Sequence, residues 1–320
     1  MIDAARPHDR PLRIGTRGSP LALIQARLVR DALASTHPAL GAPDGIEIVP
    51  IRTTGDTVQD RRLMEIGGKG LFTKEIEEAL LGGRIDCAVH SMKDMQTWLP
   101  PGLVIGAMLP REDPRDALIS LRGSRIADLP DGATVGTASL RRQAQLLALR
   151  PDLRVVTLRG NVETRLRKLA AGEADATLLA VAGLKRLGLM DKATAVVEAD
   201  EVLPAVGQGA VGIQIRNDDD RMKELLHPLD DAATTTCVTA ERACLAELDG
   251  SCHTPIAAFA EPSSDAARIH LRALIALPNG AAVHRDARAG SATEAATLGR
   301  RAGEALKAQA EPEFFRALSA

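Results

Sequence analysis

Between Ser139 and Lys168 the chain carries Arg141, Arg142, Arg150, Arg154, Arg159, Arg165, Arg167 and Lys168 against only Asp152 and Glu163. Arg141 and Arg142 fall in the first turn after Ser139, which has the type and position of a helix N-cap. Cations there oppose the helix dipole at a cost of about 0.3–1 kcal/mol each. An anion bound at the helix start reverses that sign. Arg165 is similarly placed after a strand predicted over 154–158, and Arg17 sits just ahead of a third helix start, Ser19-Pro20. A solvated basic face is the commoner explanation of any single charge run. The recurrence of one strand–loop–helix placement favours an anion site.

Asp94 follows an apolar run predicted as a strand over 85–90, where open α/β sheets place their ligands. A carboxylate there can stabilise a cation or move a proton, although an isolated aspartate is more often a turn or cap residue. Lys69, in Gly67–Gly70, lacks the residue order of a nucleotide phosphate loop. Cys252 lies in the loop Gly250–Pro255 beside His253, where a thiolate nucleophile could form. Cys87 and Cys244 fall in apolar strand and helix patterns and are expected to be buried. His90 is expected to be structural. The four cysteines form no Cys-x-x-Cys pair, so no metal site is expected.

The elements that must position these residues read as α/β. A strand at 12–14 leads into a loop at 15–18, and Ser19 caps a helix carrying Leu21, Ile24 and Leu28 at helical spacing. A strand follows at 46–51, then a helix over 76–81 closed by Gly82-Gly83. The second block, about 116–203, echoes the first. Gly15–Leu28 (GTRGSPLALIQARL) parallels Gly136–Leu149 (GTASLRRQAQLLAL), and Gly83–Val89 (GRIDCAV) parallels Gly172–Leu178 (GEADATL). Two similar lobes would face each other across a cleft, joined by crossovers at 110–114 and 203–209. If 210–216 is a strand returning to the first lobe, that lobe is discontinuous. From about 232 the pattern becomes helix, three strands at 256–260, 269–277 and 281–287, then a helix opened by a capping box at Ser291–Glu294.

The composition limits what this frame can do. Of 40 basic residues only eight are lysine, yet the net charge is −2; aromatics are 2%, with four Phe, one Trp and no Tyr. So few aromatics argue against reading bases by stacking. No apolar run approaches a membrane span, and the first ten residues, MIDAARPHDR, lack a signal-peptide core. A cytoplasmic protein with no nucleic-acid or membrane partner is expected.

Six motifs occur in order: Gly67–Phe72 (GGKGLF), Val89–Asp94 (VHSMKD), Gly136–Arg142 (GTASLRR), Leu158–Asn161 (LRGN), Leu203–Ala210 (LPAVGQGA) and the Cys252 loop. On these the sequence resembles the porphobilinogen deaminases (hydroxymethylbilane synthases) over nearly its whole length. The resemblance implies two periplasmic-binding-protein-like α/β lobes around a cleft plus a C-terminal α+β domain. The expected boundaries are 1–110 with 210–228, 115–204, and 232–320. It implies that four porphobilinogen molecules are joined head to tail, with loss of ammonia, onto a dipyrromethane primer, and that hydroxymethylbilane is then released by hydrolysis. The primer would be held covalently as a thioether on Cys252, with Asp94 as the catalytic carboxylate. Arg17, Arg141, Arg142, Arg159, Arg165, Lys93 and Lys69 match the positions that bind pyrrole acetates and propionates. Ser19, Thr137 and Ser139 would add donors, and Phe72 is the one aromatic expected near the pyrroles. A monomer is expected.

The sequence departs from the family pattern in three places. Met95-Gln96 stands where many relatives have Val-Pro, which leaves the backbone after Asp94 less constrained. Glu65 replaces a lysine, and Gly18 a larger polar residue. The alternatives are a solute-binding protein of the same two-lobed architecture and a nucleic-acid binder using the arginine-rich segment.

Overall fold

The computed structural model describes residues 10–57, 70–249, 255–310 and 314. In the first lobe β1 (Leu12–Arg17) leads into α1 (Pro20–Thr36), followed by β2 (Ile46–Ile51), the short α2 (Thr54–Thr57), α3 (Lys74–Leu81), β3 (Cys87–Ser91) and β4 (Leu103–Met108). The chain then crosses to β5 (Asp116–Ser120), β6 (Thr134–Gly136), α4 (Leu140–Leu149), β7 (Arg154–Val156), α5 (Val162–Ala170), β8 (Ala176–Ala180), α6 (Val181–Arg186) and β9 (Ala195–Val197). It returns as β10 (Val211–Arg216) and α7 (Asp220–Leu226).

The two five-stranded sheets have matching orders, β2-β1-β3-β10-β4 and β7-β6-β8-β5-β9. In each, the first three strands are parallel, and one antiparallel strand sits between the third and the edge. That antiparallel strand, β10 or β5, is reached across a crossover from the other lobe. The sequence echo therefore corresponds to a repeated topology. Gly15 and Gly136 occupy matching places because a Cβ would meet Ile85 at 2.3 Å in one lobe and Leu158 at 2.9 Å in the other. Each lobe closes over its own aliphatic core, built on Ile14, Val29, Leu33 and Ile213 in the first and on Leu118, Val135, Leu146 and Leu178 in the second.

The C-terminal part packs α8 (Ala232–Glu247) and α9 (Ala295–Gln309) on the antiparallel sheet β11 (Ile256–Pro262), β12 (Arg268–Ala276) and β13 (Val283–Ser291). Cys244, Leu271, Ala302 and Leu306 lie in the core between them. Glu241, fully buried on α8, ties this part to both crossovers. It accepts from Arg111 Nη1 at 2.6 Å, from the Gly207 N–H at 2.7 Å and from the Ala260 N–H at 2.8 Å. Arg111 Nε in turn donates to the Gln208 carbonyl at 2.9 Å.

Three local expectations are corrected. β1 runs on through Arg17, because its ladder with β2 continues to the Arg17–Ile51 pair. β7 ends at Val156, two residues early. The capping box at Ser291–Glu294 does not form. Ser291 is the last paired residue of β13, its Oγ accepts from the Thr293 N–H at 3.3 Å over a 3-10 turn, and the helix starts only at Ala295. Among the described residues no helix is long and apolar enough to cross a membrane, and no cluster of three metal-ligating side chains occurs.

Candidate active site

The first lobe brings the C-terminal ends of β1 and β3 beside the start of α1. Ser19 caps α1, accepting from the Ala22 N–H at 3.4 Å, and Pro20 takes the first helical position. β3 delivers His90 and Ser91 and passes into a 3-10 turn, Met92–Asp94. Arg17, Ser19, Phe72, His90, Ser91 and Asp94 line one cleft. Asp94 is 39% exposed, and its Oδ2 lies 3.9 Å from Arg17 Nη1. That separation and exposure leave the carboxylate accessible to a ligand as well as to the arginine.

Phe72 lines the same cleft as Asp94. The Arg17 guanidinium stacks 4.2 Å above its ring centroid, and the ring edge packs against the Gly55 backbone. It is a platform for Arg17, a cation–π contact, so that ring face is not open to a pyrrole.

The second lobe builds the other wall. Ser139 caps α4, accepting from the Arg142 N–H at 3.4 Å, while Thr137 Oγ1 accepts from the Ser139 N–H at 3.1 Å. Asn161 caps α5 in the same way, at 2.8 Å from the Thr164 N–H. The expected anion at the start of α4 is in the first instance internal. Arg141 and Arg142 are each 5% exposed and both turn onto Asp116, which is fully buried. Asp116 accepts from Arg141 Nη2 at 2.8 Å, Arg142 Nη2 at 2.7 Å, Arg142 Nε at 3.1 Å and Gln208 Nε2 at 2.8 Å. Burial alone would raise this carboxyl; the two guanidiniums outweigh it and hold it well below the usual carboxylate range. Arg141 Nη1 also donates to the Leu203 carbonyl at 2.7 Å. Two guanidiniums against one carboxylate leave a surplus positive charge.

Around that surplus stand cations that, among the described residues, pair with no carboxylate. Lys93 makes no ion pair within 4 Å among the described residues. Burial, with Arg142 and Arg165 adding repulsion, lowers its pKa to about 8 despite Asp94 and Asp116. Arg165 is lowered to about 10 by burial first and by Arg142 next, and its Nε donates to the Gly160 carbonyl at 2.8 Å. Arg159 holds a buried Nη1 with no partner among the described residues. The electrostatic coupling of Lys93 to Asp94, Arg142 and Arg165 brings the two lobes' charges to one place. The arrangement can hold several carboxylates, with one carboxylate of its own presented beside them.

His90 is buried and its Nε2 lies 3.0 Å from Gln214 Oε1; burial lowers its pKa to about 4, so the ring is neutral. Cys87 and Cys244 are buried as expected, and burial pushes the Cys244 thiol up to about 12. Cys252, His253, Lys69 and Glu65 lie outside the described residues. The backbone after Asp94 is more constrained than Met95-Gln96 suggests. Arg242 of α8 reaches across and its Nη2 donates to the carbonyls of Gln96 at 2.5 Å and Thr97 at 3.2 Å. Sequence reasoning missed Asp116, Gln208 and Glu241. The only signal was a carboxylate opening the apolar run of β5, which does not announce its partners.

The family model described as "Porphobilinogen deaminase, dipyromethane cofactor binding domain" matches residues 12–224, and the C-terminal domain model of the same family matches 235–308. The porphobilinogen deaminase of Nitrobacter hamburgensis is 57% identical over 302 residues, covering 94% of this chain and 94% of that one. The chloroplastic porphobilinogen deaminase of Oryza sativa subsp. japonica is 53% identical over 309 residues, covering 96% and 86%. Among solved structures, a periplasmic substrate-binding protein from Coxiella burnetii aligns at a TM-score of 0.42 and 16% identity, covering 70% of this chain and 94% of that one.

Proposed function

The chain belongs to the porphobilinogen deaminase family, and from that membership we propose which of its residues carry the reaction. As an enzyme of this family it joins porphobilinogen units head to tail on a dipyrromethane cofactor, with loss of ammonia, and releases hydroxymethylbilane. The rival solute-binding reading falls with that membership.

The donor set fits such a cofactor. Each pyrrole unit carries an acetate and a propionate, and the site holds an orphaned Arg159 nitrogen and mutually repelling Lys93 and Arg165. An incoming polyanion relieves that repulsion. In this proposal the Cys252 thiol holds the cofactor as a thioether. Lys93, Arg159 and Arg165 bind its carboxylates with Arg17 and Lys69, and the surplus charge of the Arg141–Arg142–Asp116 group adds to their field. Ser19, Thr137 and Ser139 contribute hydroxyl and backbone donors at helix starts. Bound there, the cofactor supplies the nucleophilic pyrrole carbon.

Asp94 accepts hydrogen bonds from pyrrole N–H groups and stabilises the positive charge that develops as ammonia leaves the substrate. It also serves as the proton acceptor for the hydrogen displaced at the new bond. Arg17, 3.9 Å away and held on Phe72, faces the Asp94 carboxylate and helps to orient it. Covalent retention at Cys252 keeps the reacting ends at high effective concentration.

The proposal divides the chain at 1–110 with 210–228, 115–204, and 232–320, and takes the protein as a cytoplasmic monomer. The observation that carries it is Asp94, partly exposed beside Arg17 and within the field of Lys93. Intact mass of the purified protein tests the attachment: two pyrrole units are expected on the wild type and none on Cys252→Ser. A fully active, unmodified wild type would overturn it.

A further inference from the structure

On β10, Gln214 Nε2 donates to Glu77 Oε1 at 3.0 Å, and Thr73 Oγ1 donates to Glu77 Oε2 at 3.3 Å. Glu77 is 7% exposed and Gln214 is fully buried. With its NH2 committed to the carboxylate, the Gln214 amide must turn its oxygen toward His90. The 3.0 Å contact between that oxygen and His90 Nε2 therefore requires the hydrogen on Nε2. In a neutral imidazole the other nitrogen, Nδ1, is then a lone-pair acceptor. No described residue hydrogen-bonds it, and His90 lines the same cleft as Asp94 and Arg17. Glu77, Gln214 and the fold around them thus fix a tautomer whose acceptor remains unspent.

We propose that His90 Nδ1 is a second substrate acceptor of the cleft, taking the N–H of a pyrrole ring seated beside Asp94, with Gln214 and Glu77 as the positioning residues that hold its tautomer. The inference rests on the assignment of this cleft to porphobilinogen condensation. A neutral acceptor complements the carboxylate: Asp94 answers the charge that develops, and His90 orients the ring without adding a second anion. The low basicity of the buried ring suits this division, since it stays neutral beside Asp94 and Arg17 and does not take a proton from the leaving ammonium.

A structural role and an acceptor role make opposite demands on replacements. Asparagine places its oxygen near the Nδ1 position and cannot reach Gln214; glutamine places its NH2 near the Nε2 position and keeps the Gln214 contact. Steady-state kinetics with porphobilinogen, on holoenzymes whose primer is verified by intact mass, separates them. His90→Asn is expected to keep kcat/KM within about threefold while lowering Tm. His90→Gln is expected to keep Tm and lose about 10–100-fold in kcat/KM, as for a buried N–H donor left without its acceptor. The reverse pattern, equal losses, or wild-type kcat/KM in both would overturn the proposal. Should neither variant fold, Gln214→Met removes the tautomer lock and leaves the ring; a loss of threefold or more in kcat/KM is expected, and none would overturn the proposal. Failure of the wild type itself to consume porphobilinogen would overturn the functional assignment, a distinct result.

Discussion

The two lobes share one strand order and one way of starting a helix beside the cleft, yet they spend their buried polar groups differently. In the first lobe the strand arriving from the other side, β10, brings Gln214 to His90, a neutral pair anchored on Glu77. In the second, the arriving strand β5 brings Asp116 to Arg141 and Arg142, a buried ion cluster. The first lobe leaves the Asp94 carboxyl partly in solvent. The second lobe buries its carboxylate and leaves positive charge over. A repeated frame supplies positions, and the sign of the charge at each position differs: one lobe presents an accessible carboxylate and the other surplus positive charge, which the proposal above takes as the reacting group and the field for a polyanion.

Three substitutions would break or sharpen this contrast. The largest effect is expected at Asp94. Asp94→Asn should retain the fold and lose about a thousandfold in turnover, comparable to removing a group aimed at developing charge; ordinary turnover would erase the functional asymmetry of the lobes. In the second lobe, Asp116→Asn removes the one carboxylate that, among the described residues, pairs with the two buried guanidiniums. A loss of about 3–5 kcal/mol in unfolding free energy, read by denaturant titration, is expected, with a much smaller loss making the cluster an accessory to the fold. The smallest effect concerns the field between the lobes. Lys93, with a pKa of about 8 in the free enzyme, is charged below that pH and neutral above it. Affinity of the cofactor-free protein for porphobilinogen should be nearly full near pH 7 and fall about tenfold by pH 9, following the charged fraction. Lys93→Arg should flatten that slope; an unchanged slope would assign it to another group.

Much of the fold was legible because its signals are local. Ser19-Pro20 and Ser139 announced helix starts, Gly82-Gly83 an end, and the matching glycines Gly15 and Gly136 a repeated strand end. The misreadings are also local. The Gly15–Gly18 stretch looks like a loop, but β2 pairs with β1 through Arg17 and keeps it extended. Ser291–Glu294 has capping-box residues, but the β12–β13 ladder claims Ser291. Gln96 lacks the rigidity of proline, and Arg242, 146 residues away, restores the restraint. In each case a partner distant in sequence outweighed a propensity worth about 1 kcal/mol or less.

The candidate site divides along the same line. By itself the sequence determined the inventory: an excess of arginine at helix starts, a carboxylate past a strand end, a cysteine beside a histidine, and few aromatic residues. These follow from residue type and spacing, which short-range sterics and capping geometry convert directly into elements. Only the tertiary structure decided which charges cancel and which remain. Asp116 meets Arg141 and Arg142 because a crossover inserts β5 beside β8, and His90 gains its tautomer because another inserts β10 beside β3. Coulomb and hydrogen-bond energies depend on distance and burial, and neither quantity exists until those strands are in place.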